Sequence, residues 1–427
     1  GLLYEASARH AVHYVGILSE ADGLYMNGDD DVLEGLKLYD LEGENIQAGH
    51  DWAVAHMEDG GGAARLCFGY TDAGVYVLSL RQHPRENIAW LEAGIAGARA
   101  VGELQVEGTA LGNLGLAWAR LGNARKAIEY YEQHLTITRE TSDRLGEGNA
   151  LGNLGVAWAA LGDGRKAIEY YEQHLTIARE MGDRLGEANA LGNLGNTWIA
   201  LGDGHKAIEY FEQHLTIARE IGDRQGEGIA LFSSAISLKG LGQIAEAATF
   251  AQAALEILDA AITAAPKNAA YHNSRGLVLK AQGRRDDAVE TFERVIGLAP
   301  RFALAYCRLG QVLDTRGEHD AALALFREAQ TLAPNDAGIA QALARAEARP
   351  KGGGGPSAAS VHRRGATDSP ETLQACLRLV GRKDKVPALV AFRRLIAEFP
   401  DHAESHRRFG DLLLGLGRWE EAVVAYR

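Results

Sequence analysis

No Gly-x-x-x-x-Gly-Lys-Ser/Thr loop occurs anywhere in the 427 residues, so the chain lacks the backbone cradle that phosphate-binding ATPases build between a strand and a helix. Cysteine is scarce. Cys67, Cys307 and Cys376 lie far apart and form neither a disulfide framework nor a zinc motif. They fit reduced intracellular thiols, and the expected location is cytoplasmic. No apolar run reaches transmembrane length and no basic-then-apolar leader opens the chain, so no membrane contact is expected. Positive charge is in deficit: 44 Lys and Arg stand against 57 Asp and Glu, a net charge of −13. That balance argues against non-specific binding to nucleic acid or to an anionic bilayer. Catalytic constellations are missing too. There is no Gly-x-Ser-x-Gly elbow. His402 and His406 flank Glu404, but at the wrong spacing for a His-Glu-x-x-His zinc protease. His10 and His13 stand three apart on a predicted helix with no third ligand beside them. Asp29-Asp30-Asp31 lacks the alternating ligands, turn glycine and closing glutamate of a calcium loop. The expectation is no enzyme, no metal and no cofactor.

What the chain does have is repetition. Residues 107–226 hold three copies of a 40-residue unit. Each opens with Ala-Leu-Gly-Asn-Leu-Gly, at Ala110–Gly115, Ala150–Gly155 and Ala190–Gly195. Each continues to Lys-Ala-Ile-Glu-Tyr, at Lys126–Tyr130, Lys166–Tyr170 and Lys206–Tyr210, and then to Glu-Gln-His-Leu-Thr-Ile. The middle copy shares 32 of 40 residues with each of its neighbours. A fixed period of this length means a stacked array, because one unit cannot bury its own apolar face.

In the middle copy Ala150, Leu151, Leu154, Ala157, Trp158 and Leu161 recur at three and four residues, which predicts an amphipathic helix. Gly162 ends it, and Asp163 is placed to cap the next helix. Ala167, Ile168, Tyr171, Leu175 and Ala178 give a second apolar stripe. Gly182 breaks that helix and Asp183 is placed to cap the following one. The unit is a helix hairpin with short loops.

Leu154-Gly155, Trp158, Ala167 and Tyr171 match the tetratricopeptide repeat (TPR) signature. The 40-residue variant resembles the lengthened TPRs of kinesin light chains and cell-polarity adaptors, a type also common in bacterial signalling proteins. The resemblance implies an all-α fold, a right-handed TPR superhelix (α-solenoid) whose first helices line a concave groove. One position departs from the pattern. A small residue is usual where this chain has His134, His174 and His214. The expected role is an imidazole packed and hydrogen-bonded between helices, since successive units stack too far apart for two of them to share one ion.

Residues 1–62 differ in character. Tyr4–Ala21 is expected to form one helix and Asn45–Met57 another. Arg9-His10-Ala11-Val12-His13-Tyr14, Glu44-Asn45-Ile46 with Trp52-Ala53, and Glu86-Asn87-Ile88-Ala89-Trp90-Leu91-Glu92 resemble the region between the nucleotide switch and the TPR sensor of bacterial STAND regulators (signal-transduction ATPases related to immune receptors). That resemblance spans Leu3–Gly102. It implies the sensor arm of a larger switch, with a nucleotide-binding module N-terminal to it and missing from this chain. Gly1 in place of Met, and an end at Arg427 inside an expected helix, give the expectation of a fragment.

Residues 63–106 fit a degenerate hairpin, with Val75, Tyr76, Leu78 and Leu80 on its first helix and Ile88, Trp90, Leu91 and Ile95 on its second. Residues 227–266 make a fourth, altered 40-residue hairpin. From Lys267 the period becomes 34: Gly276, Ala288, Phe292 and Pro300, then Gly310, Ala322, Phe326 and Pro334, so that 267–349 hold two TPRs and a capping helix. Residues 350–370 have linker composition. Residues 371–427 hold C-terminal TPRs, the last incomplete. From Pro350 onward 13 basic residues face 9 acidic ones, about +4, which leaves −17 for the rest. An acidic partner or an ordinary solvated helix face both fit that basic end.

The polar residues of the first helices are the candidate ligand contacts. Asn113, Asn149, Asn153, Asn189, Asn193 and Asn196 recur along one face. A carboxamide both donates and accepts, so the ladder suits the backbone of an extended peptide; asparagines at this register do that in the adaptors it resembles. Capping, or simple tolerance of water, is the other reading. Beside them Leu116 and Val156 occupy the position of Asn196, and Arg120 and Ile199 vary while the second helix stays fixed. Gly112, Gly152 and Gly192 weaken their helices by about 1 kcal/mol each against Ala; room for a ligand and tight helix packing both account for them. The expected partner is a protein or peptide, held by a sensor arm or by a stand-alone scaffold joining two proteins.

Overall fold

The computed structural model describes residues 2–27, 31–82, 84–334, 336–348, 388, 392 and 403–415. Among them there are nineteen α-helices and no strand. The readings on 28–30, on 349–402 apart from Ala388 and Phe392, and on 416–427 lie outside the described residues. Two compact units divide the chain, Gly1–Ile217 and Ala218–Arg427.

Unit 1 begins with a long hairpin of α1 (Leu2–Asn27) and α2 (Asp31–Ala55). Both helices run well past the segments expected from sequence, because Gly23, Gly35 and Gly43 are carried inside them. α3 (Gly61–Ala73), α4 (Val75–Arg81) and α5 (Pro84–Val101) follow, and α3 pairs with α5. The degenerate hairpin is therefore built differently from the expectation. Its first helix is α3, and the segment carrying Val75, Tyr76, Leu78 and Leu80 is the separate short α4. α3 ends at Gly74, where a Cβ would lie 2.7 Å from Leu18 Cδ1, so glycine is what lets Leu18 pack against the break. The Asp22 carboxylate then accepts from the backbone N–H groups of Tyr76 and Val77 at 2.9 and 2.8 Å and caps α4 from across the bundle. Leu18, Ile46, Tyr70, Leu78 and Trp90 form the core here, and the Tyr70 hydroxyl donates to the Ala11 carbonyl at 2.8 Å.

The regular copies follow as α6 (Leu104–Arg120) with α7 (Ala124–Glu140), α8 (Arg144–Ala160) with α9 (Gly164–Met181), and α10 (Arg184–Ala200) with α11 (Gly204–Ile221). The caps fall where the sequence places them. Asp163 accepts from Lys166 N–H at 3.1 Å and Asp183 from Gly186 N–H at 2.9 Å. Gly162 and Gly182 take φ of 82° and 69°, a left-handed conformation that costs glycine little. Inside each hairpin one glycine meets one ring: a Cβ on Gly155 would lie 2.4 Å from Tyr171 Cε1, and one on Gly195 2.5 Å from Phe211 Cε1. Lys126, Lys166 and Lys206 lie 3.8, 3.8 and 4.0 Å above the rings of Trp118, Trp158 and Trp198, a cation–π contact repeated in each copy.

A buried carboxylate ties one copy to the next. Glu147, on α8, accepts from Arg139 Nε of α7 at 2.8 Å and from Arg144 Nη1 at 2.5 Å. Glu107 with Arg99, and Glu187 with Arg179, repeat the bond at 2.6 and 2.7 Å. Burial pushes the Glu147 pKa up, but the hydrogen bonds from Arg139 and Arg144 outweigh it and the net shift is downward. A lowered carboxylate pKa gives stability that is present above the ordinary range and lost as pH falls through the folded value. Glu147→Gln should lower stability by about 1 to 2 kcal/mol, since both arginines are half-exposed and lose only a screened charge-assisted bond. Chemical denaturation at pH 7 checks it, and an unchanged midpoint would remove the carboxylate from the account.

Unit 2 contains α12 (Arg224–Gly240) with α13 (Ile244–Ala264), α14 (Ala269–Ala281) with α15 (Arg285–Leu298), and α16 (Ala303–Thr315) with α17 (His319–Leu332). α18 (Ala337–Glu347) packs on α17, and α19 (Ala403–Gly415) is described separately. The 34-residue hairpins repeat the glycine–ring contact, Gly276 under Phe292 and Gly310 under Phe326. Contrary to the sequence expectation, among the described residues one helix is long and apolar enough to cross a membrane by length and composition. It is α13, with a mean hydropathy of 1.2. Its alanine content explains this, and Ala247, Ala251, Ala254, Leu255, Leu258 and Ala261 are buried within the unit.

Candidate ligand face of the first helices

The first helices of neighbouring hairpins touch one another in unit 1, α6 with α8 and α8 with α10, whereas α7 and α9 make no comparable contact. The stack therefore closes toward the first helices. Their free face is set by helical period. On α8 Glu147, Ala150, Leu151, Leu154 and Ala157 are buried, while Leu145, Asn149 and Val156 are exposed and Asn153 is half-buried. Residues four, seven and eight apart share one side of a helix, so these four residues line a single stripe.

The other copies agree. On α10 the stripe is Leu185, Asn189, Asn193 and Asn196, with Asn193 half-buried and the others exposed. On α6 it is Thr109, Asn113, Leu116 and Arg120, with Asn113 half-buried. Ile199 is half-buried at the margin of the α10 stripe. All ten candidate residues thus fall on or beside the free face of a first helix, six of them carboxamides. Among the described residues no hydrogen bond joins the side chains of Asn113, Asn149, Asn153, Asn189, Asn193 or Asn196 to the protein. None of the six is an N-cap; Asn123, Asp143, Asp163 and Asp183 do that work.

Sequence reasoning missed the leucines of the first turn. Leu145 and Leu185 are 55% and 56% exposed, against 51% for Val156, and they stand on the same stripe as the asparagines. Their signal was present: each follows an Asp-Arg pair and falls off the buried period of its helix.

The glycine question is answered one layer below. A Cβ on Gly152 would lie 3.1 Å from His174 Nδ1, and one on Gly112 2.9 Å from His134 Nδ1. These glycines make room for an imidazole of the facing helix, not for a ligand. The imidazoles are packed as expected, but the expected hydrogen bond is missing at one nitrogen: Nδ1 of His134 and of His174 is buried with no partner among the described residues. Burial lowers the pKa of both rings, against a weaker upward pull from Asp143 and Asp183 respectively, so they pack as neutral side chains. His10 and His13 lie against Tyr14, at ring distances of 4.5 and 4.9 Å. Among the described residues no group of three or more His, Cys, Asp or Glu is arranged to hold a metal ion.

Two family models with the description tetratricopeptide repeat match residues 106–180 and 186–260, and residues 273–337 and 388–427, together more than half of the chain. The chain belongs to the tetratricopeptide-repeat family. No curated protein matches this TPR chain. Among solved structures it is similar to aspartyl phosphate phosphatase F from Bacillus subtilis, with 11% identity, a TM-score of 0.51, and coverage of 76% of this chain and 93% of that one. It is also similar to a STAND protein with a tetratricopeptide repeat sensor from Pyrococcus horikoshii, with 16% identity, a TM-score of 0.42, and coverage of 81% and 52%. Kinesin-light-chain-like TPR repeats from Podosopora anserina match with 18% identity, a TM-score of 0.37, and coverage of 51% and 95%. At these identities the likeness is one of fold.

Proposed function

We propose that the free face of α6, α8 and α10 binds an extended segment of a protein partner. The observation that carries this is the set of six carboxamides with no hydrogen-bond partner among the described residues, interleaved with exposed Leu116, Leu145, Val156 and Leu185. The amides hold the backbone, to which they donate and from which they accept. The apolar neighbours receive side chains. Binding, not catalysis, is the work of this face. We further propose a cytoplasmic setting and the role of sensor arm in a bacterial STAND-type switch. That role rests on the sequence motifs of Leu3–Gly102, and a nucleotide-binding module encoded directly before Gly1 would support it. A free-standing scaffold is the competing role.

The test is a peptide-display selection on the native chain, followed by affinity measurements on Asn113→Ala, Asn153→Ala and Asn193→Ala combined. Losing three amides should weaken the selected peptide by about 2 to 3 kcal/mol, about fiftyfold. The free variant should not lose stability, because alanine is the better helix former. Peptides that bind the triple variant as tightly as the native chain would sink the asparagine face.

A further inference from the structure

The free face of the first helices in unit 1 carries its residues in rows that cross the helices. Residues 40 apart hold the same register in successive copies. One row is Asn113, Asn153 and Asn193, and the row beside it is Leu116, Val156 and Asn196. Each row takes one residue from each helix, so its step is the spacing between neighbouring first helices. α6 touches α8, and α8 touches α10. Helices in contact lie about 8 to 10 Å apart.

A segment lying across these helices must return a group to the same face at that step. A β-strand does so every second residue, at about 6.6 Å and again at about 13 Å, and neither matches. An α-helix returns at every seventh residue, about 10.5 Å, but its backbone groups are bonded to one another and leave nothing for a carboxamide to hold. A polyproline II helix returns every third residue, at about 9.3 Å, and has no internal hydrogen bonds. It alone combines the step with free carbonyls for the half-buried Asn113, Asn153 and Asn193. The two rows bear no charge. Arg144 and Arg184, in the first turns of α8 and α10, are held by Glu147 and Glu187, and Arg120 stands at the end of α6. A charged segment would lose hydration on such a face with nothing to replace it.

We propose that the occupant of this face is an uncharged, proline-rich segment in the polyproline II conformation, lying across α6, α8 and α10 with one turn per helix. The inference rests on the reading above that the face binds a protein segment. Asn113, Asn153 and Asn193 each donate to one backbone carbonyl per turn. Leu116 and Val156 then each receive an apolar side chain, and Asn196 receives one that hydrogen-bonds. The segment therefore carries two apolar residues and one polar residue, each separated from the next by one turn.

The experiment uses the full chain and three probes: acetyl-(Leu-Pro-Pro)3-amide, a permuted peptide of the same composition with its leucines adjacent, and acetyl-(Leu-Thr)4-amide, which has the period of a strand. The first should bind at least about tenfold tighter than either of the others. Asn196→Leu should tighten its binding about fivefold, because the apolar row then reaches the third helix. A purely structural residue would give no such gain. Val156→Asp, at an exposed position, should weaken it at least about tenfold. Equal binding of the periodic and permuted peptides, tighter binding of the strand-period peptide, no binding of any, or an Asn196→Leu variant with unchanged affinity would overturn the polyproline II occupant. Display-selected peptides that need Asn113, Asn153 and Asn193 but lack the three-residue period would overturn this occupant alone and leave the asparagine face standing. Selected peptides indifferent to those asparagines would sink the face and this inference with it.

Discussion

Gly152→Phe destabilises the hairpin of α8 and α9 by about 3 kcal/mol, and adding His174→Ala restores most of that loss. The single change drives a ring into the space of the His174 imidazole, whose Nδ1 already stands 3.1 Å from an ideal Cβ at position 152. The remedy is read from the same chain. At the equivalent register of α12 and α13 the pair is Phe232 and Ala254, with Ala254 fully buried. The fourth hairpin thus exchanges small and large across the helix pair, and cores tolerate exchanges that conserve volume. His174→Ala alone should cost about 2 kcal/mol through the cavity it leaves. Urea denaturation followed by circular dichroism measures all three variants, and the coupling comes from the double-mutant cycle. A double variant no more stable than Gly152→Phe would mean that position 152 is limited by something other than the imidazole.

Acid should weaken the N-terminal bundle, and His50 should be the main reason. The His50 ring stacks on Trp90 at 3.9 Å and 7° and meets the Tyr70 ring edge-on at 5.7 Å. It is 4% exposed, and neither ring nitrogen has a hydrogen-bond partner among the described residues. The Asp51 carboxylate is 3.8 Å away, beyond hydrogen-bond reach. Burial lowers the His50 pKa to about 4, with Asp51 opposing weakly. Below its ordinary pKa near 6.5 the unfolded chain binds a proton that the folded chain refuses, so stability falls as pH falls. The loss from this one group is about 2 kcal/mol by pH 5 and on the order of 3 kcal/mol by pH 4. His134 and His174 act in the same direction. His50→Phe keeps the stack, removes two unsatisfied polar atoms and should raise stability by about 1 kcal/mol at pH 7, with a larger gain at pH 5. Thermal midpoints between pH 7.5 and 4.5 decide it. A variant that follows the native acid profile without separation would clear His50 of the role.

The regular copies were legible because each local signal agreed with the next. The apolar period, the Asp and Asn caps, and the glycine at every left-handed turn of the copies but the one at Ser142 all marked the same boundaries. The face of the asparagines was legible for the same reason: once the buried period is known, residues four and seven apart must share the opposite side. The N-terminal bundle was less so. Its helices carry glycines in their interiors, and the α3–α4 break depends on Leu18 and Asp22, about fifty residues away in sequence. The role of Gly152 was hidden because it depends on His174 of another helix. The exposed leucines at 145 and 185 were visible in the sequence, since each follows an Asp-Arg pair and falls off the buried period of its helix.

The Arg139–Glu147 bond has a consequence for how such a chain changes over generations. The same two residue types stand at every regular junction: Arg99 with Glu107, Arg139 with Glu147, Arg179 with Glu187, and Arg219 with Glu227. Any copy can follow any other without a mismatched seam. A recombination event that drops residues 147–186 would bring Arg139 against Glu187 and recreate the same contact. One that duplicates them would add a rung with its own asparagines. The array can lengthen or shorten in whole steps, each new seam carrying the same Arg–Glu bond.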